Sequence, residues 1–389
     1  MKSKKSTFGL LPFTLRILNK MIQKSAKIIL LGFTHLLILS TFSQSFGQDT
    51  IRTYYDEESL HIKEILTKIN GKAEGEVRLF DINGNLILIG NLKNDQRDGL
   101  FFDLDPETGD TVRIVEFRNN LREGKALSYF HDGTLSQESN FINNQLEGLV
   151  ISYFEDGEIR DRTNFKNNKP DGLSEAFFPD GKPKTKINFL AGQYDGTYEE
   201  FNNNGQLVFS TNYSRGVIDG KEMQYFPDGK VKAVREFRAG QLNGRYELNY
   251  PDGKPERRGV YKNGSPEGEM IEYFQNGSIR MKAIYQKGIP RMPIVYFHPN
   301  GSIRQRATYN SQGDKILEEN YFPNQKILSS VRFVNQLEEG EVKIFRADGN
   351  LQEIRNYSKG RLHGVRELYD EFGKLVETEI WENGNKINK

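Results

Sequence analysis

Glycine returns every 24 residues along most of this chain. Gly75, Gly99, Gly124, Gly148, Gly172, Gly196, Gly220, Gly244 and Gly268 are 24 apart save for one step of 25, and Gly340 and Gly364 keep the register. A second column follows nine residues later, at Gly84, Gly133, Gly157, Gly181, Gly205, Gly229, Gly253, Gly277, Gly301, Gly349 and Gly373. Thirteen units fit between residue 75 and residue 389. Self-similarity at a fixed short period decides architecture before any local propensity does. Each unit is one supersecondary element that buries its apolar surface only against its neighbours.

Counting each unit from its first glycine, an aromatic stands at +5 in eleven of thirteen units, among them Tyr129, Tyr153, Phe177 and Tyr225. A tighter ring column stands at +17, from Phe117, Phe141 and Phe165 to Tyr357 and Trp381. An aliphatic column lies between them at +11, as at Leu135, Val231 and Ile303. Six residues separate +11 from +17, so on a regular strand the two columns share a face.

The unit Gly220–Asn243 illustrates the local reading. "KEMQYF" is a short strand, PDG turns the chain, and "KVKAVREF" is the returning strand. Proline presets φ, aspartate favours a turn, and glycine takes the positive φ that completes a bulged hairpin. A second turn, "RAGQLN", leads to the next unit; its third residue is Asn144, Asn168, Gly192, Gly216, Gly240 or Gly264 in successive units. Asparagine and glycine are the residues that best accept the left-handed conformation.

The expected fold is all-β: an elongated repeat array of antiparallel β-hairpins with a 24-residue period. A lone hairpin is unstable. Two strands per unit at about 4.8 Å spacing make thirteen units on the order of 120 Å long. Residues 48–74 read as an N-terminal cap, since "LHIKEILTKINGKAEG" resembles the second half of a unit with Gly71 at its turn. "ENGNKINK" after Trp381 reads as a polar terminator of the last edge.

Residues 1–47 stand apart. They hold seven Lys/Arg and no Asp/Glu; 54 less 7 leaves 47 basic against 53 acidic residues, a net charge of −6 for the remainder. Lys20, Lys24 and Lys27 precede the apolar run Ile28–Phe42, and Ser45 and Gly47 are small residues before a cut at Gln48. This order of features predicts a secretory signal peptide with a long n-region, which places the protein in the periplasm, at the cell surface or in the medium. The apolar run is short for a membrane span, so no stable span is expected after cleavage. Met21 is an alternative start. A mildly acidic body gives no reason to expect nucleic acid as a partner. The absence of cysteine excludes a disulfide scaffold and an N-terminal lipoprotein.

The pattern G-x4-[YF]-[YF]-P-D-G-K-hydrophobic-x5-[FY]-x2-G-x3-G resembles the bacterial variant of the MORN repeat, which recurs in YwqK-type antitoxin components. The resemblance covers about 315 of the 389 residues. It implies an elongated meander of hairpins used for binding or scaffolding, with no catalytic residues to carry over. Two features depart from it. A secretion signal fits poorly with a cytoplasmic antitoxin, and the units at Met292 and Ile316 lack the first glycine, with Gln325 replacing the second.

Register also sorts the candidate chemistry. His131, His298 and His363 occupy different columns, and no nucleophile, zinc or nucleotide motif is present. No catalytic residue, cofactor or metal is therefore expected. "DLDPETGD" (Asp103–Asp110) has the alternating acids of a calcium loop but lacks the sixth-position glycine and twelfth-position glutamate. A longer hairpin loop accounts for it.

Rings at +5 and +17 are expected to pack. The seven at +6, Phe130, Phe154, Phe178, Phe226, Tyr250, Phe274 and Phe322, neighbour the +5 column and so face the other way on a regular strand. In a single-layer array they would expose a ladder of rings, the candidate partner-binding surface. The expected function is a non-enzymatic exported repeat protein that binds a protein or organises a cell-envelope assembly. The alternative is a cell-wall or polysaccharide-binding array, although tryptophan, common in such repeats, occurs once. A toxin shell would require a long unrepeated C-terminal domain. The stretch Gly288–Gly340, poor in turn glycines, is the expected site of a kink.

Overall fold

The computed structural model describes residues 47–387, so the signal segment assigned to residues 1–47 lies, Gly47 apart, outside the described residues. One open sheet of 35 strands runs from Gln48 to Ile387, and no helix occurs among the described residues. Each strand pairs antiparallel with its neighbours along the chain, and substantial contacts join only such neighbours. The sheet is therefore a single layer. Thr211 is the largest side chain wholly out of solvent.

In the unit at Gly220, Gly220–Tyr225 pairs with Val231–Arg238, which pairs in turn with Gln241–Asn249. The intervening PDG turn closes through Phe226 N–H to Lys230 O and Gly229 N–H to Phe226 O, both 2.8 Å. Gly229 takes φ 84°, and Asp228 Oδ1 accepts the Lys230 N–H at 3.1 Å. The hairpin is bulged: Gln224 stands opposite Ala233, yet Tyr225 stands opposite Val231. The extra residue inverts the strand's alternation. Val231 therefore lies across from the Tyr225 ring and on the face opposite Phe237. This corrects the expectation that the +11 and +17 columns share a face, which assumed an unbroken strand.

The second turn has two left-handed residues, Ala239 (φ 48°) and Gly240 (φ 79°). That is a type I′ turn, whose twist matches the strands it joins. A second bulge follows at Gly244, because Arg235 pairs with Tyr246 while Phe237 pairs with Leu242. Gly244 holds φ 127°, and a Cβ there would lie 2.9 Å from the Glu236 Cβ. Only glycine meets both demands.

Hydrogen bonds between turns lock each unit to the next. The first turn residue is commonly not glycine: Asn143, Ala191, Arg215, Ala239, Lys287 and Lys359 all hold φ near 50°. In most units its N–H donates to an acid immediately ahead of the unit's first glycine, 20 residues earlier. The acceptors include Glu123 (2.8 Å), Glu147 (3.0 Å), Asp171 (3.1 Å), Asp219 (3.1 Å), Glu267 (2.7 Å) and Glu339 (2.8 Å). A charge-assisted bond thus supports a strained backbone position.

The next turn residue reaches one turn back. Gly192 N–H donates to Pro170 O and Gly240 N–H to Ile218 O. Where it is asparagine, the clamp has two points. Asn144 N–H donates to Arg122 O at 3.0 Å, and Asn144 Oδ1 accepts the Arg122 N–H at 2.7 Å. Asn168 clamps Leu146 in the same way.

The opposite edge has its own ladder. Lys182, Lys230 and Lys254, the last residue of PDGK or its equivalent, donate through Nζ to the carbonyls of Asn203, Pro251 and Gln275 in the following turn. Ser278 and Asn350 do likewise, to Pro299 O and Glu371 O.

The irregular stretch has a specific form. Between Ile303–Tyr309 and Lys315–Tyr321 the type I′ turn is replaced by a PDG-like one, with Asn310 N–H to Asp314 O and Gly313 N–H to Asn310 O. Thr308 pairs with Leu317 and Tyr309 with Lys315, so a one-residue bulge at Ile316 stands in place of the glycine bulge. Gln325 takes φ 68° in place of glycine. At the N-terminal end, Gln48–Tyr54 pairs with Ile62–Ile69, and Asn70 and Gly71 form a left-handed turn. The cap is thus a full hairpin rather than half a unit. Asn385–Ile387 is a strand paired with Leu375–Glu382.

Two substitutions test which contacts set stability. Gly229 and Gly244 both hold positive φ, which costs a residue with a Cβ about 1–2 kcal/mol. Only at Gly244 does the Cβ also strike a neighbour. Gly244→Ala should therefore lower the urea midpoint clearly more than Gly229→Ala, and equal shifts would argue against the bulge as the demanding position. Asp171→Ala removes the acceptor of the Ala191 N–H and should cost about 1 kcal/mol, with faster amide exchange centred on residues 190–193.

Candidate functional site

Because the sheet is one layer thick, both faces meet solvent, and register decides what each presents. Cross-strand partners share a face. The pairs Gly220 with Phe237, Glu222 with Arg235, Gln224 with Ala233 and Phe237 with Leu242 therefore define one face. It carries +2, +4, +13, +15, the +17 rings and the residue two before each first glycine. The +1, +3, +5, +11, +14 and +16 positions lie on the other.

The first is a ring face. Phe101 and Phe117 meet edge to face at 5.1 Å. Tyr194 lies 5.1 Å from both Phe189 and Tyr213, and Tyr198 lies 5.9 Å from Phe209. Tyr246 and Tyr261 follow at 5.1 Å. Further along, Met270, Met281, Ala283 and Ile294 form a buried cluster with Tyr261, Tyr285, Tyr296 and Tyr309 packed on it. Two glycines outside the repeat columns make this packing possible. A Cβ at Gly90 would sit 2.2 Å from the Phe101 ring, and one at Gly259 would sit 2.5 Å from Met270 Sδ.

The other face is charged. Glu175 binds Arg162 at 2.7 Å, with Lys186 at 3.9 Å, and Glu247 binds Arg245 and Arg258. Cations from one unit cover the +5 rings of the next, as Arg162 covers Phe177 at 5.4 Å and Arg306 covers Tyr321 at 5.8 Å.

The seven +6 rings lie at the PDG edge, and all are half-buried rather than openly exposed. Their position explains this. Tyr250 donates through its hydroxyl to Tyr273 O at 2.7 Å, so a +6 side chain lies against the next hairpin. Arg346 and His298 occupy the same column and reach Tyr369 O at 2.9 Å and Tyr321 O at 3.4 Å. Phe130, Phe154 and Pro179 line one shallow cleft between such hairpins. The turn glycines Gly133, Gly157, Gly181, Gly205, Gly229, Gly253, Gly277, Gly301, Gly349 and Gly373 all hold positive φ from 79° to 96°. The +17 column, expected only to pack, instead supplies the rings of the open face.

Toward the C-terminal units the ring face becomes an ion-pair network. Glu353 binds Arg355 and Arg366, each at 2.6 Å, and Arg366 also binds Glu379 at 2.7 Å. Burial pushes the Glu353 carboxyl up, but Arg355 and Arg366 hold it below the ordinary range. Hydrogen bonds from Lys386, Arg366 and Trp381 push Glu379 down to about 2. In the tyrosine cluster, burial and then the hydrogen bond to Glu200 raise the Tyr198 hydroxyl, which stays neutral.

No group of three His, Cys, Asp or Glu side chains among the described residues is placed to hold a metal. Asp105 spends its carboxylate on the Glu107 and Thr108 N–H groups, and Asp103 binds Arg113 at 2.6 Å. "DLDPETGD" is a long hairpin loop, closed by Asp105 N–H to Asp110 O. Among the described residues no helix is long and apolar enough to cross a membrane.

The MORN repeat variant family matches residues 122–143, 146–167, 170–191, 194–214, 242–263, 266–287, 338–359 and 362–385. The matched segments leave out residues 215–241, which hold most of the regular unit at Gly220, as well as 288–337, where the Asn310–Asp314 turn replaces a type I′ turn. No curated protein matches the chain. Similar solved structures include the TcdB2-TccC3 complex, at TM-score 0.15 and 11% identity over 85% of this chain and 20% of that one. The Tc holotoxin pore of Photorhabdus luminescens gives TM-score 0.16 and 11% identity over 87% and 23%. The chain thus spans about a fifth of the length of those structures, and TM-scores this low carry no structural argument.

The Glu379 network makes the C-terminal end sensitive to acid. A carboxyl depressed in the folded state contributes stability that is present above its unfolded value and lost as pH falls through about 2. Glu379→Gln should speed amide exchange in residues 375–387 at pH 7, and the difference from wild type should vanish near pH 2. A difference that persists there would show that packing, rather than charge, holds this end.

Proposed function

The chain is a MORN-variant repeat protein, and on that premise we propose that it is an exported, non-catalytic scaffold that binds a protein partner of the cell envelope along its ring face. The observation that carries this reading is the single-layer sheet. Its half-buried tyrosines and phenylalanines recur unit after unit, with no second layer of the described chain to cover them. Amphipathic rings held by packing on one side are the residues that dominate protein interfaces. Export rests on the basic, apolar and small-residue order of residues 1–47.

A second reading, a polysaccharide-binding array, draws on the tyrosine cluster Tyr194, Tyr198 and Tyr213, where tilted rings offer stacking surfaces. The +6 rings, packed between hairpins, take the smaller part in either reading. Replacing them should affect stability before binding.

The test pairs recovery of partners from envelope extract with a glycan array, using the chain from residue 48 onward. Tyr194→Ala with Tyr213→Ala should lower partner recovery at least tenfold, in line with about 2 kcal/mol or more for interface aromatics. Phe226→Ala should leave recovery within about twofold of wild type while lowering the unfolding midpoint. Glycan binding that the tyrosine pair abolishes, with no protein recovered, would replace the scaffold by the polysaccharide reading.

A further inference from the structure

The first two full units break the ring-face pattern at one column. Two residues before the first glycine the chain usually places an apolar residue, as at Leu146, Pro170, Tyr194, Ile218 and Leu242, but here it places Arg97 and Arg122. Both guanidinium groups lie against rings. Arg97 is 5.2 Å from the Phe101 centroid and 5.3 Å from Phe117, and Arg122 is 4.2 Å from Phe141. Together they border a groove of about 330 Å³ whose floor includes the same three rings with Val115 and Ala126.

Charge in the groove is unbalanced. Elsewhere on this face arginine is neutralised by glutamate, as Arg235 is by Glu222 at 2.7 Å and Arg366 by Glu353 and Glu379. The only acid lining the groove is Asp103, and it is bound to Arg113. The Arg122 guanidinium donates one bond, to Asn144 O at 3.1 Å. Among the described residues neither Arg97 nor Arg122 has a carboxylate partner. A guanidinium held against a ring keeps its N–H edge free and oriented, the geometry that grips a carboxylate through two parallel bonds.

We propose that this groove binds a small carboxylate with an apolar body, the acid held by Arg97 and Arg122 and the body laid on Phe101, Phe117 and Phe141. The apolar floor favours such a ligand over a bare inorganic anion, which would leave the rings uncovered. The volume suits a ligand about the size of one aromatic amino acid. Two sources share this chemistry: the C-terminal residue of a polypeptide with an apolar side chain, and a free aromatic or aliphatic acid. The site does not depend on the scaffold reading, which concerns the whole ring face.

Titration calorimetry of the chain from residue 48 onward decides it, with N-acetyl-L-phenylalanine, octanoate, N-acetyl-L-phenylalaninamide and inorganic phosphate as probes. At least one acid should bind ten times or more tighter than the amide and than phosphate. Arg97→Gln and Arg122→Gln should each weaken it at least tenfold. Preference for N-acetyl-L-phenylalanine points to a polypeptide terminus, and preference for octanoate to a free acid. Equal binding of acid and amide, phosphate binding as tight as the acid, no acid binding at millimolar concentration, or wild-type affinity in the double Gln variant would each overturn the proposal. Should a Gln variant lower the unfolding midpoint, the acid-to-amide ratio on the unsubstituted chain still decides.

Discussion

Most units of the array are tied to the next through one main-chain N–H. At each type I′ turn a residue such as Ala191 or Lys287 is held near φ 50°, where a side chain is strained. In most units its N–H points at a carboxylate 20 residues back, ahead of the unit's first glycine, whereas at Asn263, Asn335 and Asn383 that position holds Asn243, Lys315 and His363. The same turn reaches the previous turn through the next N–H, and through asparagine Oδ1 where asparagine is present. These bonds join consecutive units at one edge as the PDGK lysines do at the other. A sheet with no second layer cannot draw stability from a deep core, so coupling between neighbouring turns carries more of the load.

That coupling leaves both faces free. In a sandwich the +17 rings would be spent on burial, and the outer faces would be polar. Here they lie half-buried among their neighbours, with Tyr194, Tyr198 and Tyr213 forming one continuous cluster. The face is not uniform along its length. Arginine on phenylalanine gives way to tyrosine on tyrosine, then to methionine with tyrosine, and at last to arginine with glutamate. A repeat can vary its side chains in this way without disturbing the backbone, because each unit's geometry is set by its turns.

Much of this was legible in the residues. The 24-residue period, the hairpin, the PDG turn and the asparagine-or-glycine turn column all follow from rules local to a few residues. Other features were visible as letters without a meaning. The acids Glu147, Asp171, Asp195 and Asp219 form a column ahead of the first glycine. Their role needed the turn that folds back over them. The +6 rings were read as pointing outward, but Tyr250 shows the column lying against the next hairpin. Arg97 and Arg122 were departures from an apolar column that only the paired strands made conspicuous.

The sequence by itself determined the repeat unit and its turns, because glycine, asparagine and PDG act on their own φ angles within a span of a few residues. The tertiary structure decided which columns share a face. One bulged residue per hairpin inverts the two-residue alternation, so Val231 and Phe237, six apart, end on opposite sides. It also decided that the sheet stays a single layer, since that depends on contacts between units that no single unit encodes.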